Sequence, residues 1–396
     1  MDENELTAQS PATDCIHAGA ITDERSVVTP IYQTTTFRFD SLGELAANVR
    51  GDLALDMYTR HSHPNYRVVE ARLAAMEHAD AAVCFASGMA AITTAVLTFC
   101  KPGDNIVCFR DIYGGTYKLL HDFLPSFGIT TTFVPTSDFA ALDSAITSRT
   151  RLLYCETPTN PLSRIVELRR FANVGTNRDI PTIVDNTWAT SINQQPIEHG
   201  IDLVIHSATK YLGGHSDVLG GLVAGSREHV AEIRETLRIT GGIMDPAAAF
   251  LLERGMKTLG VRMIQHNRNA HAIAELAASH PAVAAVYYPG LSTHRDHTVA
   301  AKQMSGFGGM LAIDLRGGWD AADRFCRTMR IGVLAVSLGA VETLVSPPSL
   351  TSHAPLSAEE RAAQGITDGT LRLSIGVEDT ADLIADFTAA LDAASV

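Results

Sequence analysis

The sequence predicts an α/β fold: a mostly parallel sheet covered on both faces, followed by a smaller α+β unit. Three observations predict it. Between residues 81 and 225, short apolar runs of strand length recur, separated by longer segments with helical spacing. The runs are near-continuous in apolar residues rather than alternating, as strands buried on both faces require. Beyond residue 250 the pattern changes to a long helical stretch rich in Ala, Leu, Arg and Met, then three further short runs, with no low-complexity linker and no internal repeat.

In chain order, residues 1–60 carry turn formers and little periodicity, and read as an irregular arm with one short helix near Ser41–Val49. From Tyr66 to Glu77 the spacing is helical, with Val69, Leu73 and Met76 on one face. The strand-length runs follow at 81–85, 105–109, 130–134, 151–155, 182–185, 202–205 and 221–225. A helical segment occupies about 245–270, and runs at 283–288, 309–314 and 370–375 build the second unit. The expected division is an arm (1–60), a large domain (61–253) and a C-terminal domain (254–396).

The balance of charges excludes some partners. A net charge of −13 in 396 residues argues against nucleic acid or an anionic membrane surface. No apolar run reaches the roughly 18 residues of a membrane span. The opening MDENELTAQS is polar and acidic, unlike a signal peptide, so a cytoplasmic location is expected. The cysteines at 15, 84, 100, 108, 155 and 326 show no zinc spacing and read as small buried apolar residues.

In open α/β sheets, ligands bind at the carboxyl ends of the strands, so the polar residues found there are the candidates. Ser87 and Gly88 follow the first run. Ser87 is a good N-cap and Gly88 permits close approach, so the next helix offers N–H groups to a phosphate or is simply capped. Tyr113, before two glycines, is placed to stack on a flat ring or to serve as a turn residue. Asn160, in ETPTNP (156–161), is placed to orient a ring substituent or to close a turn. Asp185 suits a protonated ring nitrogen or a helix cap. Lys210 ends Ser207-Ala-Thr209-Lys; lysine amines condense with aldehydes, and their pKa falls on desolvation. Together these give pyridoxal 5′-phosphate an anchor, a pyridine partner, a stacking ring and a phosphate cup.

With those residues in place, the chain resembles the cystathionine/methionine-metabolism (trans-sulfuration) family of pyridoxal-phosphate enzymes, of aminotransferase-like fold (fold type I). The resemblance runs through PIYQTTTF (30–37), YTR (58–60), SGM (87–89), YGG (113–115), ETPTNP, VDNT (184–187), SATK (207–210), SLG (337–339) and LRLS (371–374). It implies Lys210 as covalent anchor and proton shuttle, Asp185 on the ring nitrogen, and Tyr113 over the ring and as acid for the leaving group. It implies Ser87, Gly88, Met89, Ser207 and Thr209 around the phosphate, with Asn160, Ser337 and Arg372 holding the substrate amino acid. Tyr58 and Arg60 would reach the phosphate of a neighbouring subunit, so the active unit is at least a dimer and, as is usual in the family, a homotetramer.

Within the family, methionine γ-lyases usually carry cysteine where this chain has Gly115, and Lys-Asp where it has Leu237-Arg238. Cystathionine-specific enzymes often carry Glu where it has Val336. After Tyr58-Thr-Arg60 the common x-x-Asn-Pro-Thr is replaced by HSHPNYR (61–67). His63 and Asn65, with Arg67 or else Arg60 as the arginine, resemble the pattern of canavanine γ-lyases, which release hydroxyguanidine and leave homoserine; His63 and Asn65 would accept from the guanidino tail, or only cap the helix starting near Tyr66. The expected reaction is therefore γ-elimination with hydrolysis on canavanine; the alternatives are an O-acetyl- or O-succinylhomoserine sulfhydrylase and a methionine or cystathionine γ-lyase. No metal is expected, since His61 and His63 lack a third ligand.

Overall fold

The structure is a computed structural model that describes residues 10–19, 26–354 and 357–395. Most of the acidic opening segment lies outside the described residues. The first sheet has seven strands: β1 (Ala81–Phe85), β2 (Asn105–Phe109), β3 (Thr130–Val134), β4 (Thr150–Glu156), β5 (Thr182–Asp185), β6 (Leu203–Ser207) and β7 (Gly221–Gly225). Their order is β1-β7-β6-β5-β4-β2-β3. Pairing is parallel from β3 to β6, whereas β7 runs antiparallel to both β1 and β6.

The period-2 alternation of strands explains why continuous apolar runs were needed. In β2, Ile106 and Cys108 face the helix Gly88–Phe99, together with Leu152, Ile183 and Ile205 of the neighbouring strands. Val107 and Phe109 face the other way, onto Phe139, Leu168 and Phe171. Both faces are fully buried in β2 and β7. The helix Pro64–Met76 packs Val69, Leu73 and Met76 against Cys84 and Leu222. It starts two residues before the expected Tyr66, because Pro64 presets the first helical φ and extended His63 is the N-cap.

The helical stretch after 245 is two helices, Pro246–Met256 and Leu259–Ser279. A second sheet follows: β8 (Val283–Tyr287), β9 (Met310–Leu315), β10 (Val333–Leu334), β11 (Leu344–Ser346) and β12 (Thr370–Ser374), in the order β10-β11-β12-β9-β8. Leu311, Ile313, Leu371 and Leu373 bury one of its faces under Phe325 and Phe387. In the arm, the expected helix is Leu42–Arg50, capped by the Ser41 hydroxyl on the Glu44 N–H. The cysteines are unpaired thiols, all buried except partly exposed Cys326. No helix among the described residues is long and apolar enough to cross a membrane.

Candidate active site

The carboxyl ends of β1, β2, β4, β5 and β6 converge on a cavity of about 450 Å³. Every residue predicted for the site from Ser87 to Arg372 lines it: Ser87, Gly88, Met89, Tyr113, Asn160, Asp185, Ser207, Thr209, Lys210, Ser337 and Arg372. A larger cleft of about 1180 Å³ contains Gly114 and Ser352 but none of those residues.

Lys210 follows β6, and its Nζ donates to Ser337 Oγ at 2.8 Å. Burial, with the Arg372 cation nearby, holds its amine down to about 8, so far more of it is neutral near physiological pH than of an ordinary lysine. Ser337 sits at φ +84°, a left-handed conformation that a residue with a Cβ seldom adopts. Its carbonyl accepts from Arg372 Nη2 at 2.8 Å. Arg372 lies on β12 and is 6% exposed; its Nε is buried without a partner. Burial lowers its guanidinium to about 10, so it stays charged.

At the other end of the cavity, Ser87 Oγ accepts from the Ala90 N–H at 3.1 Å. The Gly88 and Met89 N–H groups lie in the first turn, which no intrahelical carbonyl serves. Glycine is required here: a Cβ on Gly88 would stand 2.9 Å from Ser207 Oγ, and one on Gly221 would stand 2.2 Å from the Ser87 carbonyl oxygen. Thr209 Oγ1 accepts from Gly220 N–H at 3.1 Å, which ties the residue before the lysine to the loop ahead of β7.

Asp185 ends β5 and accepts from the Thr187 N–H at 3.0 Å. Burial raises its carboxyl, while Thr187 and His206 pull it back. Beside it in register on β4 stands Glu156, which the sequence reading passed over. The apolar run 151–155 stops one residue before the end of β4, so Glu156, like Asp185, is a polar residue at a strand's carboxyl end. Glu156 accepts from the N–H groups of Tyr113 at 2.7 Å and Asn160 at 3.1 Å. Asn160 Oδ1 is buried without a partner. Tyr113 is 45% exposed and flanks the cavity. Trp188, also unforeseen, lines the cavity as well.

These features fit pyridoxal phosphate. A partly neutral lysine suits its aldehyde, a buried carboxylate its ring nitrogen, and a glycine-opened helix start its phosphate. The orphaned Asn160 Oδ1 and Arg372 Nε await polar partners.

The arm residues stand apart. None of Tyr58, Arg60, His63, Asn65 and Arg67 lines the cavity of its own chain. Arg60 donates to the Arg238 carbonyl at 2.7 Å and lies over the Tyr58 ring. His63 is fully buried: one ring nitrogen accepts from the Asn65 N–H and Nε2 meets the Tyr32 carbonyl at 2.9 Å. Asn65 accepts from the Tyr32 N–H at 3.0 Å and donates to the Pro30 carbonyl at 2.9 Å. Arg67 pairs with Asp56. In this chain the polar atoms of His63 and Asn65 thus meet backbone groups: those of Pro30 and Tyr32 in the arm, and the N–H of Asn65 itself. His63, not Asn65, is the cap.

A parallel sheet ending in a buried lysine opposite a carboxylate, with a smaller second sheet supplying an arginine, defines a fold type I pyridoxal-phosphate enzyme. The chain belongs to the Cys/Met metabolism PLP-dependent enzyme family, whose pattern it matches over residues 12–392. It is 40% identical to an L-methionine γ-lyase of Fusobacterium nucleatum, over 98% of this chain and 99% of that one. It is 43% identical to a cystathionine γ-synthase of Mycobacterium tuberculosis, over 96% of each. The crystal structure of cystathionine γ-lyase from Lactobacillus plantarum complexed with L-serine superposes with a TM-score of 0.92 at 39% identity, covering 98% of this chain and 100% of that one. The cofactor of this chain, as a member of that family, is pyridoxal 5′-phosphate.

Proposed function

We propose that the protein is a γ-lyase for an amino acid bearing a thioether at Cγ, of the methionine or cystathionine kind. The observation that carries this is the meeting of Lys210 and Arg372 on Ser337, each at 2.8 Å. A substrate whose α-carboxylate sits in the Arg372 fork presents its Cα to the Lys210 amine. The cavity mouth is apolar, with Leu219 62% and Val336 69% exposed. Its carboxylates, Glu156 and Asp185, are already engaged by N–H groups. A thioether tail suits that mouth better than a guanidino group, and the lyase relatives point the same way. The canavanine reading rests on His63, Asn65 and Arg67, and in this chain those three side chains are engaged away from the cavity.

In this reading the cofactor, when bound, supplies a sink for the electron pair left at Cα. Lys210 is its covalent anchor and carries the substrate's protons. Asp185 holds the proton on the ring nitrogen. Tyr113 covers the ring and protonates the departing sulfur. Ser87, Gly88, Met89, Ser207 and Thr209 bind the phosphate, Asn160 orients a ring substituent, and Ser337 and Arg372 hold the carboxylate. Tyr58 and Arg60 serve the phosphate of a neighbouring subunit, in a homotetramer built from dimers. In support, neither lines its own cavity, and the arm exposes Leu42 (85%) and Val49 (69%).

The test is turnover of the cofactor-loaded protein on methionine, cystathionine, canavanine, and O-succinylhomoserine with sulfide, with products identified by mass. 2-Oxobutyrate and a thiol from the thioethers, at the highest kcat/KM of the set, is the expected result. Homoserine and hydroxyguanidine from canavanine as the fastest reaction would overturn it. Homocysteine from O-succinylhomoserine as the fastest would make the protein a transferase.

A further inference from the structure

β4 and β5 run parallel and pair Glu156 with Asp185, so two carboxylates end side by side on the cavity floor. Both are buried, at 4% and 6% exposure. Asp185 has a role in the reading above; Glu156 has none, yet it is the better connected. Its Oε2 takes the N–H of Tyr113 and its Oε1 that of Asn160. These residues approach the floor from different loops, one after β2 and one after β4. Tyr113 heads the short helix Gly114–Lys118, which has no side-chain cap of its own, so Glu156 is what holds the backbone from which the ring projects. A carboxylate with one oxygen on each of two backbones fixes their separation, as no neutral side chain of that length does.

We propose that Glu156 is a positioning residue of the active site, acting on turnover through the Tyr113 ring it holds in place. This rests on reading the cavity as the cofactor and substrate site. The neighbouring charge gives the grip a condition. Burial first, and the Asp185 charge second, push the Glu156 carboxyl well up, whereas its two N–H bonds favour the ionised form. A cation docked on Asp185 offsets that repulsion, so Glu156 grips Tyr113 most firmly when the site is filled.

The experiment is a double-mutant cycle of Glu156→Gln and Tyr113→Phe in the cofactor-loaded enzyme. It is read by kcat on whichever amino acid is turned over fastest and by the visible circular dichroism of the bound cofactor. Glutamine keeps an acceptor for one N–H and turns a donor towards the other. Glu156→Gln is expected to lower kcat by roughly 10- to 100-fold with KM little changed, as a misplacement of about 1 Å does. It should weaken the visible dichroism while the absorbance is retained. In the Tyr113→Phe background it should add no more than about threefold, the range in which residues acting through one another fail to add. The apo form of Glu156→Gln should still unfold cooperatively, somewhat below wild type, since one part-buried N–H loses its acceptor. Full multiplication of the two losses, or an unchanged kcat and dichroism, would each overturn the proposal. The dichroism reads the ring whatever the substrate, so failure of the thioether reading leaves this test intact.

Discussion

The ring of Tyr113 occupies the space that a side chain at position 115 would need: a Cβ on Gly115 would stand 2.5 Å from Tyr113 Cε1 and 3.2 Å from Met89 Sδ. The second glycine after the tyrosine is thus part of how the ring is seated. Gly115→Ala should push the ring off its seat and lower kcat by about tenfold, a positional effect, while stability changes little because Tyr113 is half exposed. Steady-state kinetics beside a melting curve checks it; unchanged kcat would mean that the ring is free to find another seat.

Lys210→Ala removes the only amine on the cavity wall among the described residues. The variant should lose the visible absorption of the bound cofactor and all measurable turnover, while the fold persists by circular dichroism. Full activity in this variant would refute the assignment of the whole site.

The depressed lysine sets a pH dependence. Only the neutral amine condenses with an aldehyde, so the rate at which apo protein captures pyridoxal phosphate should rise with pH up to about 8 and then level off. Stability follows the same proton. The folded-state value, about 8, lies below the ordinary 10.5. Between those two the unfolded chain binds the extra proton, so this residue makes the apo fold more stable as pH rises. Below about pH 8 both states are protonated and the full penalty of burying the charge remains. Lys210→Met should remove this rise, seen as the difference between the two melting profiles from pH 7 to pH 10.

Arg372→Lys keeps the charge but loses the fork. The Ser337 carbonyl and the substrate carboxylate would then compete for one ammonium. A loss of about 1.5–3 kcal/mol, the usual worth of a hydrogen bond to a charged group, predicts a 10- to 150-fold rise in KM. An unchanged KM would place the carboxylate elsewhere.

His63→Ala and Asn65→Ala should each destabilise the protein by about 1–2 kcal/mol, because each leaves part-buried backbone groups of Pro30 or Tyr32 unpaired. Any loss of activity should be equal on methionine, cystathionine and canavanine. A selective loss on canavanine would restore the substrate-tail role of this segment.

The layout of the first sheet was legible from residue types alone, because strands buried on both faces must be apolar throughout and each run declares itself locally. The polar residues at the strand ends, from Ser87 to Lys210, were legible for the same reason: they interrupt that pattern where open α/β sheets hold their ligands. Three things were decided only by the tertiary structure. One is that His63 and Asn65 serve Pro30 and Tyr32, some thirty residues back along the chain. Another is that Glu156 belongs to the site, which needed the register of β4 against β5. The last is the bridge of Lys210 and Arg372 through Ser337, which lies 127 residues from the lysine. Local periodicity records which way a side chain faces, but not which distant backbone group will be there to take its hydrogen bond. That depends on the packing of the two sheets and the arm.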